Sequence, residues 1–112
     1  MGFIRFLEKK SVLIITGYAQ VDEFEWDDQK NIKNQEKHGI SFEDVIEVFD
    51  YPMVTRVDNR FNYGEIRLIG IGRDEIAVIY SIVYTQREKK VRIISARKAN
   101  KKEKNIYDNY YR

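Results

Sequence analysis

The sequence predicts an α+β domain in which helices pack on one antiparallel sheet of about four to five strands. Three observations support this class. β-Branched and aromatic residues fill the centre of the chain, two helical signals precede that centre, and one follows it. The predicted order is β-α-α-β-β-β-β-α, with two N-terminal helices and one C-terminal helix. With 112 residues, 43% of them hydrophobic, the chain has the size of one domain with a modest core.

Residues 1–23 are predicted to form an N-terminal extension whose role the sequence does not define, and residues 24–112 the functional domain. Ser11–Tyr18 has the composition of a strand. Its apolar run, Val12–Ile15, is far shorter than the ~20 residues of a membrane-spanning helix, and no convincing signal-peptide cleavage site follows it. We therefore expect a soluble cytoplasmic protein that does not associate with membranes. The absence of cysteine excludes disulfides and thiolate zinc sites.

The first helix is predicted from its two ends. Phe24–Trp26 alternates apolar and acidic residues, which suits a short strand. Asp27 is then a good N-cap, and Gly39 can end the helix after about Lys37 in a left-handed conformation. Because Ile32 is its one aliphatic residue, this helix is expected to lie on the surface.

The remaining elements follow from periodicity and from capping signals. Ser41–Asp44 resembles a capping box, helically spaced apolar residues from Phe42 to Phe49 predict a short amphipathic helix, and Pro52 stops it. Asn100 with Glu103 gives a second capping box for a last helix that runs to about Tyr110. The predicted central strands are Val54–Asp58, Ile66–Ile71, Ile76–Tyr84 and Val91–Ala96. Polar breaks of hairpin length separate them at Asn59–Gly64, Arg73–Glu75 and Gln86–Lys89.

The net charge of +2 conceals two oppositely charged segments. Asp22–Asp50 contains 10 acidic and 3 basic residues, whereas Arg87–Arg112 contains 10 basic and 3 acidic residues. A concentrated basic segment is typical of proteins that bind polyanions. A solvated basic face is the alternative, and charge alone favours it.

Short motifs then occur in a specific order along most of the chain after Glu23. They are Phe24-Glu25-Trp26-Asp27, Lys30, Asn34, Lys37-His38-Gly39, Phe42, Phe49-Asp50, Pro52, Gly64-Glu65-x-Arg67, Gly70, Tyr84-Thr85-x-Arg87, Arg92–Ala99, Glu103 and Tyr107. Together they resemble the BrnT toxin family of type II toxin–antitoxin systems.

The resemblance implies a RelE-like fold and a toxin that cleaves RNA on the sheet face and inhibits translation. It implies an endoribonuclease that needs no metal or cofactor. It also implies a BrnA-like antitoxin that neutralises the toxin in a hetero-oligomer and carries the contact with DNA. Members of the family usually begin close to the Phe-Glu-Trp-Asp motif, so the first 23 residues are a departure.

Metal-free cleavage needs a base for the 2′-hydroxyl, cations for the charged phosphorane and an acid for the leaving 5′-oxygen. The catalytic candidates are His38, Arg67, Arg97, Arg92 and Glu65. His38 is the single histidine, and histidine is the side chain whose ordinary pKa lies nearest neutrality. The alternative is a histidine that only caps the first helix or packs under Gly39.

Strand arginines bind phosphate bidentately, or they form salt bridges to carboxylates such as Glu65. We expect Arg67 and Arg97 to contact the phosphate. Simple alternation places Arg92 and Arg97 on opposite faces unless a bulge intervenes. Glu65 could act as a base, although an ion pair with Arg67 is the favoured role.

The predicted RNA-binding residues are Lys30, Lys37, Lys98, Lys101, Lys102, Tyr84 and Tyr107. The lysines would contact the RNA backbone or an acidic antitoxin surface, and the tyrosines would stack on bases or donate a proton. Solvated lysines and core tyrosines are the ordinary alternatives. The competing function is a noncatalytic nucleic-acid- or partner-binding module, including a degenerate toxin that keeps only its antitoxin interface.

Overall fold

The computed structural model describes residues 3–7, 12–60 and 64–111. Residues 1–2 and 8–11 of the predicted extension, and residues 61–63 of the predicted Asn59–Gly64 break, lie outside this part. The elements are β1 (Phe3–Leu7), β2 (Val12–Gly17), β3 (Glu23–Trp26), α1 (Asp28–His38), a 3₁₀ helix (Glu43–Asp50), β4 (Met53–Asp58), β5 (Arg67–Arg73), β6 (Ile79–Arg87), β7 (Lys90–Lys98) and α2 (Lys101–Tyr111).

The structure confirms an α+β fold but corrects the predicted sheet. The described residues form one sheet of seven strands in the order β1-β2-β4-β5-β6-β7-β3, rather than four to five strands. The sheet is mixed, because β3 pairs with β7 in parallel while the other neighbours are antiparallel. The difference arises because the hairpin β1–β2 continues the sheet beyond β4, and the chain then crosses to the opposite edge to form β3. The likeness to RelE remains a prediction.

One face of the sheet, called the core face here, is covered by the 3₁₀ helix. Phe42, Val45 and Phe49 are buried there against Met53 and Ile82. These apolar positions were predicted, but the segment adopts 3₁₀ rather than α-helical geometry. Its closeness to the sheet depends on glycines in β5, because a Cβ at Gly72 would lie 2.5 Å from Val48 Cγ1.

The opposite face, called the open face, is only partly covered. Helix α2 packs on one end of it, where Tyr107 joins a buried cluster with Ile14, Val54 and Ile71. The Tyr107 hydroxyl donates to the Pro52 carbonyl oxygen at 2.8 Å. The rest of the open face is left between α1 and α2, and the candidate site lies there.

Helix α1 begins and ends as predicted and lies beside the β7 edge. Asp27 accepts hydrogen bonds from the backbone of residues 29 and 30, and Gly39 closes the helix at φ 70°. Asn34 anchors the helix, since its amide pairs with both the N–H (3.1 Å) and the carbonyl (2.8 Å) of Ala96 and also donates to the Ile40 carbonyl. Polar side chains therefore attach a helix whose Ile32 is 47% exposed.

Strand β7 contains a β-bulge at Ile94. Ile93 pairs with Tyr84, whereas Ser95 already pairs with Val83, so one residue of β7 has no partner. The extra residue reverses the alternation. As a result Arg92 and Arg97 lie on the same face of the sheet, because the bulge that was the stated exception to simple alternation is present.

Candidate functional site

A cleft of about 490 Å³ opens on the open face, within the range of roughly 300–1,000 Å³ typical of ligand sites. Residues from α1, β4, β5, β6, β7 and α2 surround it. The lining residues are Lys30, Lys33, Asn34, Lys37, His38, Arg56, Arg60, Ile69, Ser81, Val83, Ile94, Ser95, Arg97 and Glu103.

The floor of the cleft is a row of cross-strand neighbours. Arg56 pairs with Ile69, Ile69 with Val83, and Val83 with Ser95. Paired residues share a face, so these four side chains stand side by side on the open face. The next row adds Arg97 opposite Ser81. The bulge at Ile94 is what brings Ser95 and Arg97 to this face.

The wall of the cleft is the basic side of α1. Lys30, Lys33 and Lys37 are separated by three and four residues, which places them on one helix face. These are the three lysines of the acidic segment Asp22–Asp50, and all of them line the cleft. Charge summed over that segment therefore hides a basic wall.

Arg97 is held by Glu103 at the edge of the cleft. Arg97 Nη1 donates to Glu103 Oε1 at 2.7 Å and Nη2 donates to Oε2 at 2.9 Å. Burial raises the pKa of Glu103, but hydrogen bonds from Arg97 and from the Asn100 backbone outweigh it and hold the pKa below its usual 4.5. Glu103 is therefore an anion at neutral pH.

The structure brings together four of the predicted residues, namely Lys30, Lys37, His38 and Arg97. His38 is the last residue of α1, and Arg97 lies near the end of β7. The fold thus places the candidate proton-transfer group and the candidate phosphate ligand at the same cleft.

Three other catalytic candidates lie outside the cleft. Arg67 lies at the start of β5, with its Nε 4.0 Å from Glu65 Oε1. Arg92 lies on the open face near β3, where its Nη1 is 3.4 Å from Glu25 Oε2. Of the two arginines expected to contact the phosphate, only Arg97 lines the cleft, and a phosphate contact of Arg67 stays a prediction.

Both predicted tyrosines belong to the interior. Tyr84 is 2% exposed on the core face, and burial raises the pKa of its hydroxyl. Tyr107 is 4% exposed beneath α2. Neither ring is available for stacking on a base, so the ordinary core role is correct for both.

Lys98, Lys101 and Lys102 are exposed at the junction of β7 and α2 and do not line the cleft. Lys101 and Lys102 form a basic border at the start of α2, close in sequence to the Arg97–Glu103 pair, whereas Lys98 pairs with Tyr80 and therefore points from the core face of β7. Contact with an extended RNA chain remains a prediction for them.

Sequence reasoning missed several lining residues, which are Lys33, Arg56, Arg60, Ser81, Ser95 and Glu103. Helical spacing from Lys30 and Lys37 would have identified Lys33. Alternation in β4 leaves Arg56 on the face opposite Thr55, but which face carries the site depends on the sheet order. Glu103 was recognised as a helix cap and as one of the motif residues, but it was given no role in the site.

Two findings concern other kinds of site. No group of histidine and carboxylate side chains within the described ranges is arranged to hold a metal ion. In the same ranges, each helix is too short or too polar to cross a bilayer.

Comparison with known proteins agrees with the family resemblance of the sequence motifs. The model of the family described as "Ribonuclease toxin, BrnT, of type II toxin-antitoxin system" matches residues 26–103. The 1.1 Å crystal structure of the Brucella abortus ribonuclease toxin BrnT is similar to this chain with a TM-score of 0.52 and 23% identity. The match covers 70% of this chain and 97% of that one, and it shows a shared fold. No curated protein sequence matches significantly.

Proposed function

The chain belongs to the family of BrnT ribonuclease toxins of type II toxin–antitoxin systems, and we propose that it cleaves RNA in the cleft between α1 and the open face. The observation that carries this proposal is the meeting of His38 and Arg97 among the basic residues of one cleft. In the proposed function the protein is a cytoplasmic, metal-independent endoribonuclease that inhibits translation.

The proposed reaction uses the RNA's own 2′-hydroxyl as the nucleophile. The 2′-oxygen forms a bond to phosphorus while the bond from phosphorus to the 5′-oxygen breaks. A base removes the 2′-hydroxyl proton and an acid returns a proton to the leaving 5′-oxygen. The products carry a 2′,3′-cyclic phosphate and a 5′-hydroxyl.

His38 and Arg97 divide this chemistry. Histidine can accept or donate a proton near neutral pH, so His38 serves one of the two proton transfers, and a lysine of the wall or a water molecule serves the other. Arg97 stabilises the negative charge that develops on the phosphorane. Lys30, Lys33 and Lys37 attract the RNA backbone and add positive potential along the wall.

The antitoxin is the second part of the proposal. Membership of a type II toxin–antitoxin family implies an antitoxin partner. We propose that it is a BrnA-like protein that neutralises the toxin in a hetero-oligomer and contacts DNA itself. The exposed side chains of Lys98, Lys101 and Lys102 offer positive charge both to RNA and to an acidic partner.

Residues 24–112 are proposed to form the toxin domain and residues 1–23 an extension of it. Within that extension, β2 is integrated into the sheet, because Ile14 joins the cluster under α2 and the Gly17 N–H donates to the Tyr111 hydroxyl. The extension therefore adds a stabilising strand beside β4.

Cleavage of single-stranded RNA in the presence of EDTA tests the proposed function. Wild type is expected to cleave, and His38→Ala and Arg97→Ala are each expected to lower kcat at least about 100-fold. Arg92→Ala is the matched control, since it removes an arginine from the same strand and face outside the cleft, and its rate should stay within about threefold. Folded wild-type protein that binds RNA without turnover would instead identify a noncatalytic binding module.

Inhibition of translation is tested in a bacterial host. Induction of the wild-type chain should arrest growth, and His38→Ala or Arg97→Ala should relieve the arrest while the protein remains soluble. Growth arrest by both soluble variants would contradict the assignment of the site.

A further inference from the structure

Glu103 is the one acidic side chain among the described residues that line the cleft, and the proposed chemistry does not use it. Its side chain is 13% exposed, whereas that of Arg97 is 41% exposed. A half-buried carboxylate that supports a more accessible arginine is the arrangement expected of a residue that positions another.

The hydrogen bonds of Arg97 fix the direction of its guanidinium group. Arginine has five N–H donors in a plane. One N–H of Nη1 donates to Glu103 Oε1 at 2.7 Å, and one N–H of Nη2 donates to Glu103 Oε2 at 2.9 Å. The second N–H of Nη1 donates to the Lys98 carbonyl oxygen at 3.2 Å. The donors left over are on Nε and Nη2, which lie on the same edge of the plane. Such an edge binds two phosphate oxygens side by side.

Glu103 is held in place both by hydrogen bonds with Asn100 and by the anchoring of helix α2 on the sheet. Its Oε1 accepts the Asn100 N–H at 2.9 Å, and its own N–H donates to Asn100 Oδ1 at 2.9 Å, which makes a reciprocal capping box. Helix α2, which carries Glu103, is anchored on the sheet through Tyr107. The carboxylate is therefore attached to a fixed helix end, and a charged pair in this setting has little freedom to reorient.

We propose that Glu103 is a positioning residue that turns the Nε–Nη2 edge of Arg97 toward the RNA phosphate in the cleft. This proposal rests on the proposed function. Glu103 touches neither RNA nor the reacting atoms. It acts through Arg97, so its contribution disappears when Arg97 is absent.

A double-mutant cycle between Glu103→Gln and Arg97→Ala tests this. Glutamine keeps the size of the side chain and is accepted in capping boxes, but it loses the charge and one acceptor. In wild type the change should lower kcat about 10- to 100-fold with little change in KM, because a small misplacement of a catalytic group costs up to about 100-fold. In the Arg97→Ala background it should change kcat by less than about twofold.

Asn100→Ala is the matched control, since it removes the acceptor for the Glu103 N–H but keeps the Asn100 backbone N–H that holds Glu103 Oε1, and so keeps the Arg97–Glu103 pair. It should lower the thermal midpoint while kcat stays within about twofold. Equal losses of kcat in Asn100→Ala and Glu103→Gln, or a full effect of Glu103→Gln in the Arg97→Ala background, would overturn the proposal.

The NMR chemical shift of the Arg97 Nε–H group tests the positioning role of Glu103 without measuring catalytic turnover. In wild type the signal, assigned by its loss in Arg97→Ala, should shift when a 2′-O-methyl oligonucleotide is added, and the shift should be lost in Glu103→Gln. An unchanged shift in Glu103→Gln overturns the positioning role. If wild type does not cleave RNA yet the shift depends on Glu103, the proposed catalysis fails while the positioning of Arg97 stands.

Discussion

At the scale of single residues, polar side chains rather than apolar ones attach the basic wall to the sheet. Asn34 satisfies the backbone of Ala96 at the point where β3 has ended and β7 would otherwise present an open edge. Asn31 does the same for the Phe42 N–H at 2.9 Å and also contacts Glu43. These two amides attach α1 to β7 and to the start of the 3₁₀ helix.

Replacement of Asn34 by alanine is expected to destabilise the fold by about 2–4 kcal/mol, because it leaves buried backbone groups of Ala96 and Ile40 without their partner. Urea unfolding monitored by circular dichroism measures the change. Ile32→Ala on the same helix is the control and should cost under about 1 kcal/mol, since Ile32 is half exposed. A larger loss for Ile32→Ala than for Asn34→Ala would contradict the anchoring role of the amide.

The depressed pKa of Glu103 predicts a pH-dependent contribution to stability. A carboxyl group whose folded pKa is lowered stabilises the fold above its unfolded pKa, near 4.5, and this stabilisation is lost as the pH falls through the folded value. Wild type should therefore exceed Glu103→Gln in stability at pH 7, and the difference should shrink below pH 4.5. Denaturant midpoints at several pH values give the measurement, and a difference that grows in acid would contradict the ion pair with Arg97.

At the scale of elements, sequence patterns identified the pieces better than their arrangement. The caps Asp27, Gly39 and Asn100 were predicted because each uses a local hydrogen bond that the neighbouring residues determine. The parallel pairing of β3 with β7 was not predicted, because it joins segments far apart in sequence. A one-residue bulge at Ile94 has no local signature, yet it decides whether Arg97 faces the cleft.

The same distinction applies to the candidate site. His38 and Arg97 were selected for what their side chains can do, and both line the cleft. Tyr84 and Tyr107 were selected to stack on RNA bases or donate a proton, but both side chains are buried. Sequence periodicity predicts which face of a strand or helix a residue occupies, but it does not predict which element covers that face. The aromatic rings needed for the core and those available for RNA are indistinguishable in sequence.

The close packing of the 3₁₀ helix against Gly72 in β5 can be tested by substitution. Gly72→Ala should destabilise the fold by about 1–3 kcal/mol, because the added methyl lies 2.5 Å from Val48 Cγ1 and 3.2 Å from Met53 Cγ. Thermal unfolding measures the loss. The control is Val48→Ala, which makes room for the methyl group, so the double variant should lose less than the sum of the two single losses. Strict additivity would show that Gly72 is needed for another reason.

At the scale of the whole molecule, the distribution of charge on the surface differs from its distribution along the chain. The acidic segment 22–50 places its three lysines on the cleft, and the basic segment 87–112 contributes Arg97 to the opposite side. A polyanion in the cleft would therefore contact both halves of the sequence. The exposed lysines at the start of α2 lie outside the cleft, so the molecule presents two basic surfaces with different expected roles.

The roles of these two surfaces can be compared with two variants that each remove three positive charges. One variant replaces Lys30, Lys33 and Lys37 by alanine, and the other replaces Lys98, Lys101 and Lys102. For a 2′-O-methyl oligonucleotide, each lost phosphate contact should reduce the slope of log affinity against log salt by about 0.7. Both variants should bind more weakly at low salt, but only the α1 variant should also lose kcat, because only its lysines surround the proposed reacting phosphate. Loss of kcat confined to the α2 variant would move the reaction out of the cleft and onto the α2 border.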